Sequence, residues 1–180
     1  MRPFVPLLLG LLVTLSGEAA TRDPGEYFFD QSLGDFREEL ETARDEGKQG
    51  ILIMFEMDEC PFCQRMKQQV LNRPEVQDFF KRHFLVFSVD IEGDVPISDF
   101  QGRPTTQKAF AFKQFRVRAT PVFAFFDLDG RLVTRYTGAT RDSREFLWLG
   151  EFVAGAHYRK SNFTRYKRQR KRELSKAAGR

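Results

Sequence analysis

Cysteine is scarce in this chain of 180 residues, which holds only Cys60 and Cys63. Histidine is equally thin: His83 and His157 are the only two, and neither lies near the cysteines in sequence. A zinc site usually needs four ligands, so without a second cysteine pair a metal is the weaker reading of these thiols and no cofactor is expected. Long apolar runs are also missing. The most hydrophobic stretch, about Phe4 to Leu15, is shorter than the roughly 20 residues of a usual membrane helix.

The two cysteines stand in Cys60-Pro61-Phe62-Cys63, between the apolar run Ile51-Leu52-Ile53-Met54-Phe55 and a segment of helical character. A C-x-x-C between a predicted strand and a predicted helix reads as a redox motif. Two intervening residues on the first helical turn bring both sulfurs within bonding reach. The first thiol then faces the free N–H groups and the positive end of the helix dipole. Cys60 is therefore expected to be the exposed, attacking thiolate. Pro61 suits the first helical position, where its missing N–H costs nothing. Cys63, one turn in, is expected to be the shielded, resolving thiol. An inert structural disulfide and a metal site stay open beside this reading.

Acidic residues crowd the motif. Glu56, Asp58 and Glu59 oppose thiolate formation while the helix terminus favours it. Glu56 follows Met54 by two strand positions and so points to the same face. A covered carboxyl there is a candidate proton relay for Cys63; the plain alternative is an exposed strand end.

Composition elsewhere is that of an ordinary soluble domain, 41% hydrophobic and 30% charged, apart from 20 phenylalanines that argue for an aromatic core. The sequence divides into four parts. Residues 1–20 combine Arg2, the apolar segment and the small residues Ser16, Gly17 and Ala19, the pattern of a secretory signal, with a retained anchor as the alternative. Residues 21–31 form an arm with a turn at Asp23-Pro24-Gly25 and with Tyr27, Phe28 and Phe29 free to pack. Residues 32–158 form the domain. Residues 159–180 carry ten of the 29 basic residues against one acid, so residues 1–158 are net −5 and the formal +4 belongs to the tail. Such a run reads as a disordered, solvated tail, with attraction to an anionic membrane surface or to an acidic partner as the alternative. Export leaves nucleic acid off the list of expected partners. Asn162-Phe163-Thr164 matches a glycosylation sequon.

Within the domain the pattern predicts a helix from Ser32 or Asp35 to about Glu46, a strand at Ile51–Met57, and a helix from the cysteines with Met66 and Val70 inward and Arg65, Lys67 and Gln68 outward. After an interruption at Asn72-Arg73-Pro74 it predicts a helix at Glu75–His83 and a strand at Phe84–Ile91. Glu92–Thr106 reads as an unusually long loop, a plain surface insertion or, as the alternative, a border of the thiol site that selects partners. A helix at Thr105–Phe115, a strand opened by Pro121, a hairpin at Asp127–Gly130, a strand at Arg131–Thr137 and a helix at about Asp142–His157 complete it. Alternating β, α and β elements imply parallel strands with a crossover helix, an α/β architecture.

The order of strand, Cys60-Pro61-Phe62-Cys63 helix, strand, helix, then Thr120-Pro121 before a hairpin and closing helix resembles the thioredoxin superfamily over roughly Ser32 to Tyr158. The resemblance implies a thioredoxin-like fold with a central mixed β-sheet flanked by helices. It also implies a cis Pro121 against the cysteine pair and a backbone edge at Thr120 that binds an extended partner segment. Two features depart from thioredoxins proper: Glu59 replaces the usual tryptophan before the motif, and Met54 stands where a buried aspartate is usual. Cys-Pro-aromatic-Cys is closer to glutaredoxins. Together with the signal-like N-terminus, Phe55-Glu56 and the Phe28-Phe29 arm, it resembles the periplasmic thioredoxins of the SoxW type, associated with sulfur oxidation. That resemblance implies a membrane electron donor of the DsbD or CcdA type. The expected function is thiol–disulfide exchange with proteins in the periplasm, leaning to reduction. Thiol reduction in cytochrome c maturation and a non-catalytic binding or adaptor module are the alternatives.

Overall fold

A computed structural model of the chain describes residues 20–179. The signal expected over residues 1–20 therefore lies, but for Ala20, outside the described residues. Among these, no helix is long and apolar enough to cross a membrane.

The first element among the described residues is a short helix α1 (Pro24–Tyr27), capped by Asp23, whose side chain accepts from the Glu26 N–H. Helix α2 (Phe36–Asp45) starts where Asp35 accepts from the Arg37 and Glu38 N–H groups, and it buries Phe36, Leu40 and Ala43. Strand β1 (Gly50–Glu56), helices α3 (Pro61–Gln69) and α4 (Pro74–His83) and strand β2 (Phe84–Asp90) follow. Both helices begin on proline, which costs no hydrogen bond at that position. Gly50 is obligatory: a Cβ there would meet the Phe126 carbonyl oxygen at 2.0 Å.

The stretch expected as a long loop contains a small hairpin, β3 (Pro96–Ser98) with β4 (Pro104–Thr106). Buried Asp99 knits it together, accepting from the Gln101 and Arg103 N–H groups, the Arg103 guanidinium and the Gln114 amide. The helix expected over Thr105–Phe115 is interrupted. A single turn α5 (Gln107–Ala109), capped by Thr106, runs into a π-helical turn at Phe110–Gln114. The wider turn leaves Phe110 and Ala111 buried but Phe112 exposed, so an unbroken apolar stripe does not form. Strands β5 (Val122–Phe126) and β6 (Leu132–Thr137) make the expected hairpin, and α6 (Ser143–Ala154) closes the domain from an Asp142 cap.

The sheet order is β2-β1-β5-β6, with β1 and β2 parallel and the other pairs antiparallel, the mixed sheet that was expected. Strand alternation divides the core in two. Leu52, Met54, Phe123 and Phe125 share one face with Cys60, Cys63 and the apolar sides of α3, α4 and α6. Ile51, Ile53, Phe55, Ala124 and Phe126 share the other with α2, Phe110, Ile97 and Phe100. The hairpin insertion thus spends its apolar residues on the face away from the cysteines. Aromatic stacking dominates the cysteine face, where Phe80 and Phe146 lie 4.5 Å apart and Phe28, fully buried, meets both. Phe28 ties the arm to the domain.

The tail corrects the expectation of disorder. It forms α7 (Phe163–Ala178), and Asn162 of the sequon is its cap, accepting from the Arg165 N–H. Phe163 packs on Tyr136 and Phe152, and Tyr166 on Phe152. Lys167 pairs with buried Glu145 at 2.6 Å and Arg170 with Glu151 at 3.2 Å. Apolar positions at helical spacing are present in this run, but the density of charge hides them in composition.

Candidate active site

Cys60 is the cap of α3 and Pro61 its first residue; the Cys60 Sγ accepts from the Cys63 N–H at 3.0 Å. The two cysteines form a disulfide with Cα atoms 5.2 Å apart. The sulfur of Cys60 therefore lies at the positive end of the α3 dipole, which favours its thiolate once the bond opens.

Exposure is the main correction to the sequence reading. Cys63 is fully buried as expected, but Cys60 is only 3% exposed and not an open thiol. Its side chain folds back over the first turn of α3 into the bond with Cys63 rather than projecting. What surrounds it on the surface is Asp58, Glu59, Pro61 and Phe62, all exposed, Phe62 by 58%.

Strand register brings the second half of the site to the same end of the sheet. Phe55 pairs with Val122, so the chain just before β5 lies beside the end of β1 that leads to Cys60. The Thr120–Pro121 peptide there is cis. Pro121 is buried, and its carbonyl accepts from the Gly138 N–H at 2.8 Å. Thr120 is half-buried, and its hydroxyl has no hydrogen-bond partner among the described residues.

Glu56 points to the α3 side of the sheet. Its carboxylate meets Lys67 at 2.6 Å and also accepts from the Ser88 hydroxyl, with its side chain 15% exposed. Lys67 was expected to face solvent; instead it reaches inward, stacked over the Phe29 ring at 5.9 Å. It stands four residues beyond Cys63 on α3, which puts the ion pair on the cysteine's side of that helix, one turn further along. An acid ending β1 and a lysine at i+4 from the resolving cysteine are the only sequence signals for this pair.

Two further contacts escaped the sequence. Arg65 donates to the Thr140 carbonyl at 2.5 Å, and the buried Thr140 hydroxyl approaches the Met66 sulfur at 3.6 Å. Together they pin α3 to the loop before α6. Among the described residues no three His, Cys, Asp or Glu side chains stand together as a metal site. This arrangement can make and break one disulfide, with Cys60 the less buried residue of the pair and a partly covered ion pair alongside.

A family model described as a thioredoxin-like domain matches residues 36–154. No curated protein sequence matches the chain. Among solved structures, a thioredoxin-fold protein from Helicobacter pylori is 21% identical, with a TM-score of 0.58 over 70% of this chain and 86% of that one. A thioredoxin from Thermus thermophilus is 28% identical, with a TM-score of 0.52 over 68% and 88%. A putative disulphide-isomerase from Bacteroides thetaiotaomicron is 23% identical, with a TM-score of 0.53 over 75% and 98%.

Proposed function

The chain belongs to the thioredoxin-like family and has the dithiol of a thiol–disulfide oxidoreductase; on that premise we propose that it reduces protein disulfides outside the cytosol. The observation that carries this reading is the Cys60–Cys63 disulfide at the first turn of α3, with Sγ of Cys60 against the helix N-terminus.

In this reading the Cys60 thiolate attacks a partner disulfide, forming a mixed disulfide and releasing one partner thiolate. Cys63, deprotonated, then attacks the Cys60 sulfur and releases the second partner thiol, leaving the Cys60–Cys63 disulfide. The partner gains two electrons and two protons. Glu56, held by Lys67 and Ser88 on the cysteine side of the sheet, takes part in moving the Cys63 proton. Thr120 and Pro121 offer the backbone edge on which an extended partner segment lies, and exposed Phe62 offers it an apolar contact. A membrane carrier of the DsbD or CcdA type returns the electrons. The lean toward reduction, and toward a sulfur-oxidising or related periplasmic thiol system, rests on resemblance to the SoxW type.

The 3% exposure of Cys60 favours a second reading, a binding or adaptor module that keeps the fold without turnover. Insulin reduction with dithiothreitol separates the two. The oxidoreductase gives turnover that Cys60→Ser abolishes, and a wild type without turnover would leave the adaptor. Cys63→Ser, by stalling the mixed disulfide, then identifies the partner, including any in cytochrome c maturation.

A further inference from the structure

Helix α7 sorts its charges by face. Its inward side carries Phe163, Tyr166, Lys167 and Arg170, all engaged with the domain. At 3.6 residues per turn, Arg165, Arg168, Arg172 and Lys176 fall on the opposite side, one above the other at i, i+3, i+7 and i+11. All four are exposed, and none has an ion pair among the described residues. The row runs about 17 Å along the helix. Like charges at these spacings repel one another, so the helix holds this row against its own stability.

We propose that the outer row of α7 is a docking surface for an anionic lipid bilayer. Charge complementarity supports this occupant. Residues 1–158 are net −5, so the attraction of an anionic plane is concentrated on the basic tail while the net charge of the domain opposes contact, which biases the protein to lie with α7 toward the surface. The row is the convex side of a peripheral rod, which meets a plane along its whole length, and it has no aromatic on which an unpaired base could stack. Nor does it have an apolar side chain to insert, so attachment is electrostatic and salt-sensitive. The docking is independent of the thiol chemistry.

The test is sedimentation of the full chain with vesicles of phosphatidylcholine alone and of phosphatidylcholine mixed with phosphatidylglycerol. The measured quantity is the ratio of the two affinities, which cancels non-ionic attachment through the apolar Phe4–Leu15 segment. Each basic residue near such a surface strengthens binding roughly fivefold, so four give a ratio on the order of several hundredfold at low salt. The variant R165Q/R168Q/R172Q/K176Q brings the ratio close to one, whereas R37Q/K108Q/K113Q/R144Q, with the same charge removed from other exposed positions, keeps most of it. Raising salt on the unmodified protein erases the ratio without any mutation, so the result does not hang on how a variant folds. A wild-type ratio near one, an equal loss in both variants, or release from the vesicles by duplex DNA at equal phosphate concentration would overturn the proposal.

Discussion

Cutting the Glu56–Lys67 pair is the sharpest probe of how α3 is seated on the sheet. Glu56 is 15% and Lys67 30% exposed at the side chain, so the pair lies between exposed ion pairs, with contributions of about 0–1 kcal/mol, and fully buried ones, which cost about 3–5 kcal/mol to break. Lys67→Met keeps the alkyl stem against Phe29 and strands a carboxylate with only the Ser88 hydroxyl as partner; about 2 kcal/mol of stability should go. Glu56→Gln strands an ammonium whose flexible stem can reach water, and about 1 kcal/mol should go. A double-mutant cycle read by urea denaturation should give a coupling energy of about 1 kcal/mol, with Lys67→Met the costlier single change. Sites that do not interact add to within about 0.3–0.5 kcal/mol. A coupling inside that margin, or the reverse order of the two single variants, would refute the seating of this pair as described.

Gly50→Ala forces a Cβ into the Phe126 carbonyl and should cost about 3 kcal/mol, read as a lower denaturation midpoint at unchanged slope. At Asp99 burial alone would raise the carboxyl, but hydrogen bonds from Arg103, Gln101 and Gln114 outweigh it and hold the group below its ordinary value of 3.8. Its folded-state value being depressed, the stability it contributes is complete above that ordinary value and is lost as pH falls through the lower one. Asp99→Asn should therefore cost about 2 kcal/mol at neutral pH, and the gap to wild type should close in acid melts. Lys167→Ala removes the 2.6 Å partner of buried Glu145 and should cost about 2 kcal/mol, with faster proteolysis within α7 as the readout.

How far these elements could be read from sequence depends on the range of the interaction that makes them. Asp35, Asp142 and Pro61 announce their helices because a cap or a first-turn proline acts over three or four residues, whereas Pro74, which reads as part of an interruption, is the first residue of α4. The unbroken apolar runs of β1 and β5 announce strands with both faces covered. Lys67 escaped because its partner Glu56 is 11 residues away in another element, and Ser88 is 32 residues from the same carboxylate. The interruption after Ala109 escaped because Ala109, Phe112 and Phe115 keep helical spacing in the sequence, which does not register the widened turn that leaves Phe112 exposed.

By itself the sequence determined the C-x-x-C spacing at a helix start, the order of the four sheet strands with α2, α3, α4 and α6, and the proline that precedes β5, all of which are local relations along the chain. Tertiary structure alone decided that Cys60 is covered, that Glu56 is paired with Lys67, and that the basic tail is a helix fastened to α6 with one charged side left outward. Each of these depends on which distant side chain supplies the opposite charge or excludes water. Periodicity and composition carry no information about that choice, because it is made by packing between segments remote in sequence.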